Sequence, residues 1–218
     1  MRPDRPPLPD LAAFDEIIDV RSPDEFAEDH IPGAINCPVL DNDQRVEVGT
    51  LYKHVSPFVA KKIGAAMVSE NIGRHLRESF LGKARDWKPL IYCWRGGNRS
   101  GSMTTVFRAI GWKASQLEGG YKTWRSHVVA QLDQLPRAFR FRVICGATGS
   151  AKTRILQAIG ALGEQVLDLE TLASHKGSVL GVLPGQPQPD QKWFETLLLQ
   201  ELERLDPAGP HHGGRHGC

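Results

Sequence analysis

Cysteine is scarce in this sequence, and its spacing argues against two kinds of site. The 218 residues contain four cysteines, Cys37, Cys93, Cys145 and Cys218, and no two of them form a Cys-x-x-Cys pair. Zinc sites and dithiol redox motifs commonly use such pairs, so neither is indicated and we predict no bound zinc. Few, scattered cysteines are typical of a protein that works in a reducing compartment such as the cytoplasm.

Long apolar runs are lacking as well. No stretch approaches the roughly 20 apolar residues that span a membrane. The proline-rich start, residues 1–9, has no apolar segment of the signal-peptide type. We therefore expect a cytoplasmic protein that does not contact membranes.

A strong excess of one charge is also absent, since the formal net charge is +2. Such a charge does not by itself indicate a nucleic-acid-binding protein. Residues 61–85 differ, because six basic residues stand there against Glu70 and Glu78. This segment is either a solvated helix surface or an RNA-facing patch. Its basic residues are Lys61, Lys62, Arg74, Arg77, Lys83 and Arg85.

Short apolar runs alternate with helical patterns in the first half of the chain. This order is typical of an α/β domain with a mainly parallel sheet and flanking helices. Ser22 with Glu25 three residues later predicts a helix at 23–29 that begins with a capping box, and residues 41–87 look helical in parts. The candidate strands are residues 17–20, 34–36, 90–92 and 115–117, and the further candidate helices are residues 100–111 and 121–135.

The second half begins as a separate α/β unit. Its predicted order is a strand at 139–145, a glycine-rich loop, a helix at 154–162 and a strand at 165–169, followed by an apolar helix at 192–205. We therefore predict a first α/β domain over residues 1–135, a second, partial α/β domain over 136–206 and a disordered tail over 207–218.

Cys93 stands at the head of a glycine-rich loop between a predicted strand and a predicted helix. Backbone N–H groups and a helix N-terminus converge in such a loop and stabilise an anion, such as a thiolate, a perselenide or an oxyanion. Arg95 and Arg99 would add charge-assisted hydrogen bonds. Cys93 is therefore the candidate nucleophile. The other candidate loop residues are Trp94, Gly96, Gly97, Asn98 and Ser100.

The spacing Cys93-x-x-Gly96-x-x-Arg99-Ser100 fits two enzyme classes. Cysteine phosphatases share it, but they have a histidine where this chain has Tyr92. Further signatures lie at residues 19–21, 25–26, 30–36, 118–121 and Trp124. Together with the Cys93 loop they resemble the rhodanese superfamily over about residues 10–130, which implies that Cys93 carries a chalcogen and that Asp19 and Arg21 support the site. From the residues alone, Asp19 and Arg21 form a structural salt bridge equally well.

A second glycine-rich loop, residues 146–153, follows a predicted strand and opens a helix. In this setting a Walker A loop presents amides and a lysine to phosphates and a hydroxyl to Mg²⁺. Ala151 replaces the last glycine of that motif, at a cost of about 1 kcal/mol if the position needs a positive φ. The loop is thus either a phosphate site or a structural turn. The candidate phosphate-binding residues are Gly146, Thr148, Gly149, Ser150, Ala151, Lys152 and Thr153.

A rhodanese-type domain followed by a P-loop domain resembles the bacterial tRNA 2-selenouridine synthase family. The resemblance covers about residues 10–205 and includes residues 168–181, with His175 as a supporting residue. It implies an enzyme that replaces the sulfur of wobble 2-thiouridine in tRNA with selenium, through an S-geranylated intermediate. Selenophosphate and geranyl diphosphate would be co-substrates, Mg²⁺ would accompany the P-loop, and no tightly bound cofactor is implied.

The same resemblance suggests partners. The tRNA backbone would meet residues 61–85 and the linker arginines Arg137, Arg140 and Arg142, and a selenophosphate-supplying enzyme would be a second partner. Family members continue beyond Leu205, so we expect a truncated, marginally stable second domain with exposed apolar surface on its last helix, and an inactive chain is one reading. The alternatives are a stand-alone rhodanese-type sulfurtransferase and a binding module without turnover.

Overall fold

The computed structural model describes residues 6–147, 149–174 and 188–208. The chain divides into two compact units, residues 1–127 and 128–218.

The first unit is built on a parallel sheet of four strands in the order β2-β1-β3-β4. Ile18 in β1 lies opposite Ile35 in β2 and Ile91 in β3. Because all the strands are parallel, their carboxyl ends meet at one edge of the sheet, where ligands usually bind in such folds. The prediction of a parallel α/β sheet is confirmed, with each strand end placed to within one residue. The strands are β1 (Glu16–Asp19), β2 (Ile35–Asn36), β3 (Pro89–Tyr92) and β4 (Ser115–Gln116).

Helices flank this sheet and begin where the sequence supplies caps. The Ser22 N–H donates to the Glu25 carboxylate at 3.1 Å, as a capping box requires, and Asp41 accepts from the Gln44 N–H at 2.8 Å. Gly111 adopts φ +110° and ends the fourth helix. The helices are α1 (Pro23–Glu28), α2 (Asn42–His54), α3 (Pro57–His75), α4 (Asn98–Ile110) and α5 (Tyr121–Gln134); a π-helical turn (Leu76–Phe80) extends α3, and the boundary between the units falls inside α5.

The core of the first unit lies between the sheet and α3 and α4. Ile18, Ile91 and Met103 are fully buried there. An aromatic cluster fills the space beyond them, with ring centroids 5.0 to 5.7 Å apart. The expected apolar face of α4 is buried at Met103 and Phe107, but Ile110 in the last turn is half exposed. The aromatic cluster consists of Phe80, Trp87, Phe107 and Trp112.

The described part of the second unit contains helices and irregular segments but no strand, and two sequence predictions for it are wrong. Residues 139–145 and 165–168 form no strand, and Leu169 begins a helix. Apolar β-branched residues favour an extended chain, but a strand also needs a hydrogen-bonded partner, and neither segment pairs with described residues. The helices are α6 (Lys152–Ala161), α7 (Leu169–Leu172) and α8 (Gln191–Arg204).

The expectation of exposed apolar surface on α8 is also wrong. Leu199 and Leu202 are buried, and Trp193, Phe194 and Leu198 are partly buried. Within the unit, α7 packs against α8. The predicted tail lies mostly outside the described residues. In the described ranges no helix is long and apolar enough to cross a membrane.

Candidate active site around Cys93

Cys93 follows β3 at the carboxyl edge of the sheet and is 3% exposed. The Ser100 hydroxyl, on the first turn of α4, donates to the Cys93 sulfur at 3.1 Å. This hydroxyl is itself fixed, because Gln116 donates to it at 2.8 Å. The sulfur therefore has a hydroxyl donor beside it, at the start of a helix.

The loop between Cys93 and α4 is held by its carbonyl oxygens. Gln116 donates to the carbonyls of Gly96 at 2.7 Å and Gly97 at 3.0 Å, and the Tyr121 N–H donates to the Cys93 carbonyl at 2.8 Å. The N–H groups of residues 94–97 donate to no carbonyl in the described ranges. The loop is thus held in place through its carbonyl acceptors, and its N–H groups are not used by described carbonyls.

Two glycines let the next turn of the chain approach this loop. A Cβ on Gly120 would lie 2.2 Å from the Cys93 carbonyl oxygen and 2.5 Å from the Gly96 nitrogen. A Cβ on Gly96 would lie 2.6 Å from the Leu117 carbonyl oxygen. Both glycines have a positive φ, +60° and +65°. No side chain fits at either position without moving backbone.

The two loop arginines have different environments. Arg99 donates to the Glu25 carboxylate from Nη1 at 2.6 Å and Nη2 at 3.2 Å, whereas Arg95 is exposed. Burial alone would raise the pKa of Glu25, but the hydrogen bonds and charge of Arg99 hold this pKa below its ordinary value. Arg99 is therefore committed to a protein carboxylate, and Arg95 is the more accessible arginine.

Asp19 and Arg21 form a fully buried salt bridge, with Arg21 Nη2 2.6 Å from Asp19 Oδ2. Burial lowers the pKa of Arg21, but the hydrogen bond and charge of Asp19 outweigh it and raise the pKa above its ordinary value. Arg21 also donates to the Asp29 carbonyl at 2.6 Å and lies 4.1 Å from the Tyr121 ring centroid. The pair thus joins β1, the end of α1 and α5. It is the structural salt bridge that was one of the two alternatives for Asp19 and Arg21.

Tyr121 completes this buried network. Its hydroxyl donates to the Asp29 carboxylate at 2.8 Å, and its ring stacks on Trp94 with centroids 5.2 Å apart. Burial, and then the charge of Asp29, raise the pKa of Tyr121, so it remains a neutral donor. Trp94 therefore stacks on the Tyr121 ring, and the hydrogen bond to Asp29 holds that ring in place.

Sequence reasoning missed several of these supporting residues. Gln116 and Asp29 carry no local signal, because their partners are 16 or more and 92 positions away along the chain. Glu25 was predicted as a capping residue and as part of the rhodanese resemblance, but its contact with Arg99 was not predicted. Only the sheet topology, which places the ends of β1, β3 and β4 side by side, brings these residues together.

The phosphate loop lies in the second unit. Lys152 Nζ donates to the carbonyls of Gly146 at 2.9 Å and Ala147 at 3.0 Å, so it spans the loop. Ala151 has φ +60°, a conformation that glycine adopts more easily. The Thr153 hydroxyl donates to the Glu170 carboxylate at 3.2 Å, a contact that the sequence did not predict. Thr148 and His175, both candidate site residues, lie outside the described residues.

Comparison with known proteins identifies both parts of the chain. Residues 8–127 match the rhodanese-like domain, and residues 139–212 match the tRNA 2-selenouridine synthase AAA domain. A tRNA 2-selenouridine synthase from Nitrosomonas europaea is 37% identical over 191 residues, and one from Bdellovibrio bacteriovorus is 34% identical over 198 residues. The chain belongs to the rhodanese-like domain family, and over most of its length it is similar to tRNA 2-selenouridine synthases.

The matches cover most of this chain but only part of each relative in the tRNA 2-selenouridine synthase family. They include 87% of this chain in both cases, and 49% and 50% of the two relatives, so the chain spans about half the length of the curated relatives it matches. Among solved structures, the N-terminal domain of a Clostridium difficile 630 protein is 40% identical and has a TM-score of 0.47. The match covers 52% of this chain and 88% of the solved domain.

Proposed function

We propose that this chain acts in the synthesis of 2-selenouridine in tRNA, with Cys93 as the nucleophile that handles the chalcogen. One observation carries the proposal: the Cys93 sulfur is buried beside the Ser100 hydroxyl, at the head of a loop whose N–H groups bind no described carbonyl. Such a site stabilises soft anions of sulfur or selenium. The substrate would be a wobble 2-thiouridine and the selenium donor selenophosphate.

The chain's own residues divide the work at this site. The loop amides would bind the oxygens of the selenophosphate, and the Ser100 hydroxyl would donate a hydrogen bond to the reacting sulfur. Arg95 is the accessible cation for the phosphate. Trp94, stacked on Tyr121, would offer a face to a flat base.

In the second unit, the loop 146–153 would bind the diphosphate of geranyl diphosphate. Lys152 would exchange its contacts with the Gly146 and Ala147 carbonyls for phosphate oxygens. Mg²⁺ prefers oxygen ligands, and the adjacent oxygens of Thr153 and Glu170 fit that preference. Mg²⁺ bound there would neutralise charge on the diphosphate. The thiouridine sulfur would bond to the geranyl carbon, and the diphosphate would leave.

The test is an incubation of the chain with 2-thiouridine tRNA, geranyl diphosphate and selenophosphate, followed by mass spectrometry of the nucleosides. We expect 2-selenouridine with the wild type and none with Cys93→Ala, while Cys145→Ala, which removes an exposed cysteine, is the control. Accumulation of S-geranyl-2-thiouridine in Cys93→Ala would separate prenylation from selenation, and Lys152→Ala should lose the prenylated product.

Two results contradict the proposal. Equal amounts of selenouridine with the wild type and Cys93→Ala would remove the role of Cys93. Transfer of sulfur from thiosulfate to cyanide, without any tRNA product, would instead identify a stand-alone rhodanese-type sulfurtransferase.

A further inference from the structure

Helices α2 and α3 form a hairpin whose connecting end is unusually exposed. Tyr52, Val55 and Phe58 are 56%, 65% and 67% exposed. Solvent-exposed aromatic and apolar side chains that cluster at one place usually mark an interaction surface. We call this end the hairpin tip, and it consists of Tyr52, Lys53, His54, Val55, Phe58, Lys61 and Lys62.

The charge of the hairpin tip has one sign. Residues 48–69 contain three lysines and one histidine but no aspartate or glutamate. The first turn of α3 has no acidic residue, although an acid is favoured at that end of a helix. The tip therefore presents positive charge without an acidic neighbour in its own segment, and it is complementary to a polyanion.

Aromatic and basic side chains are interleaved at the tip. The Lys62 ammonium lies 5.0 Å from the centroid of the exposed Phe58 ring. Single-stranded RNA is bound by this combination, since aromatic rings stack on unpaired bases while lysines contact the phosphates. An acidic protein would bind to the lysines and would not need the aromatic rings. Single-stranded RNA would bind to the lysines through its phosphates and to the aromatic rings through its bases.

The hairpin tip lies far from the end of α3 that is tied to the sheet. At the other end of α3, Asn71 donates to the Val39 carbonyl at 3.1 Å and so ties the helix to the chain just after β2. The rise of an α-helix places Phe58 about 20 Å along the axis from Asn71. The tip is therefore a surface of its own, of the kind that a large ligand such as a folded RNA can contact in addition to a reaction site.

We propose that the hairpin tip binds the tRNA, with Phe58 and Tyr52 stacking on unpaired bases and Lys53, Lys61 and Lys62 contacting phosphates. This inference rests on the proposed function and names the surface that recognises its substrate. It shifts the main contact from the whole basic segment 61–85 to the end of one helical hairpin.

The experiment measures binding of fluorescently labelled 2-thiouridine tRNA to the full chain at several salt concentrations. Lys61→Ala/Lys62→Ala should weaken binding and reduce the slope of log Kd against log salt by about 1.4 to 1.8, because two phosphate contacts are lost. Phe58→Ala should weaken binding about 5- to 150-fold through lost stacking, and Phe58→Tyr should restore it. The matched control is Lys88→Ala/Lys113→Ala, which removes two exposed lysines before β3 and β4.

The outcomes separate this inference from the proposed function. Unchanged affinity and salt slope in both tip variants, with selenouridine still formed, would reject the tip as the tRNA surface and leave the function standing. An equal loss in the Lys88→Ala/Lys113→Ala control would show that only total charge matters, which also rejects the tip. A wild type that neither binds nor modifies tRNA would reject the proposed function itself. Because the substituted side chains are exposed, circular dichroism should show the same unfolding temperature for every variant.

Discussion

Arg99 donates two hydrogen bonds to Glu25, at 2.6 and 3.2 Å, and so ties the first turn of α4 to α1. The same carboxylate accepts the Ser22 N–H at 3.1 Å. Glu25 therefore caps the start of α1 and also holds the first turn of α4, the turn that carries Ser100. The geometry around Cys93 depends on this carboxylate remaining charged.

The charge of Glu25 should make the first unit sensitive to acid. Its pKa is lowered in the folded chain, so its contribution to stability is present above about pH 4.5 and is lost as the pH falls through the folded value. We expect Glu25→Gln to lower the free energy of unfolding by about 1–2 kcal/mol at pH 7 and to have a smaller effect at pH 3.5. Urea unfolding at both pH values measures this.

A matched control is Glu201→Gln, whose partner Arg204 is 68% exposed. Exposed pairs of this kind contribute little, so its effect should stay below about 0.5 kcal/mol. If Glu25→Gln loses as much stability at pH 3.5 as at pH 7, the charge of Glu25 does not stabilise the fold.

Ser100 should control the reactivity of Cys93. Ser100→Ala removes the hydroxyl that donates to the sulfur at 3.1 Å, and a less stabilised thiolate reacts more slowly. We expect the rate of Cys93 alkylation by iodoacetamide at pH 7.5 to fall about tenfold, one charge-assisted hydrogen bond being worth roughly 1.5 kcal/mol. Peptide mass spectrometry resolves the individual cysteines.

Two internal references accompany this measurement. Ser102→Ala removes a hydroxyl of the same helix that donates instead to the Asn98 carbonyl, so it should leave the rate unchanged. Cys37 should resist alkylation in every variant, because burial and the charges of Glu16 and Asp19 raise its pKa to about 12. Equal rates for Ser100→Ala and wild type would show that another group activates Cys93.

Local patterns were sufficient to predict the four strands and helices α1, α4 and α5, whereas residues 41–87 were predicted only as helical in parts. The capping pair Ser22 and Glu25 marked the start of α1, and Gly111 marked the end of α4. Cys93 could be placed in a loop between a strand and a helix, because an apolar run precedes it and two glycines and a helical pattern follow it. The partners of that loop could not, since Gln116 meets Ser100 only after β4 joins the sheet beside β3.

In the second unit, local patterns failed to predict the structure of segments that need partners far away along the chain, such as strands. Residues 139–145 have strand-forming composition, yet Val143 is 80% exposed and the segment has no ladder in the described ranges. Helix α6 was predicted correctly because its hydrogen bonds are internal to the segment. Glu170 could not be linked to Thr153 from spacing alone.

Gly120 should tolerate no side chain. In Gly120→Ala the new Cβ would approach two backbone atoms, the Cys93 oxygen and the Gly96 nitrogen, within 2.2 and 2.5 Å. Backbone must move, so we expect a loss of about 3 kcal/mol or more in unfolding free energy and loss of the alkylation reactivity of Cys93. Gly33→Ala is the control, because Gly33 has a similar φ of +78° but open space around it. Its cost should be the backbone strain alone, about 1 kcal/mol. Similar losses in the two variants would show that close packing at Gly120 is unimportant.

Ala151 should be a position where glycine improves the phosphate loop. Its φ of +60° costs alanine about 1 kcal/mol relative to glycine. Ala151→Gly should therefore stabilise the loop by about that amount and bind pyrophosphate with Mg²⁺ up to fivefold more tightly by calorimetry. Ala158→Gly makes the same chemical change inside α6, where glycine is unfavourable, and should destabilise the helix by about 1 kcal/mol. Opposite signs in these two variants are the expected result, because, of the two residues, Ala151 has a left-handed φ and Ala158 is helical. A destabilised Ala151→Gly would mean that the loop does not hold this φ in solution.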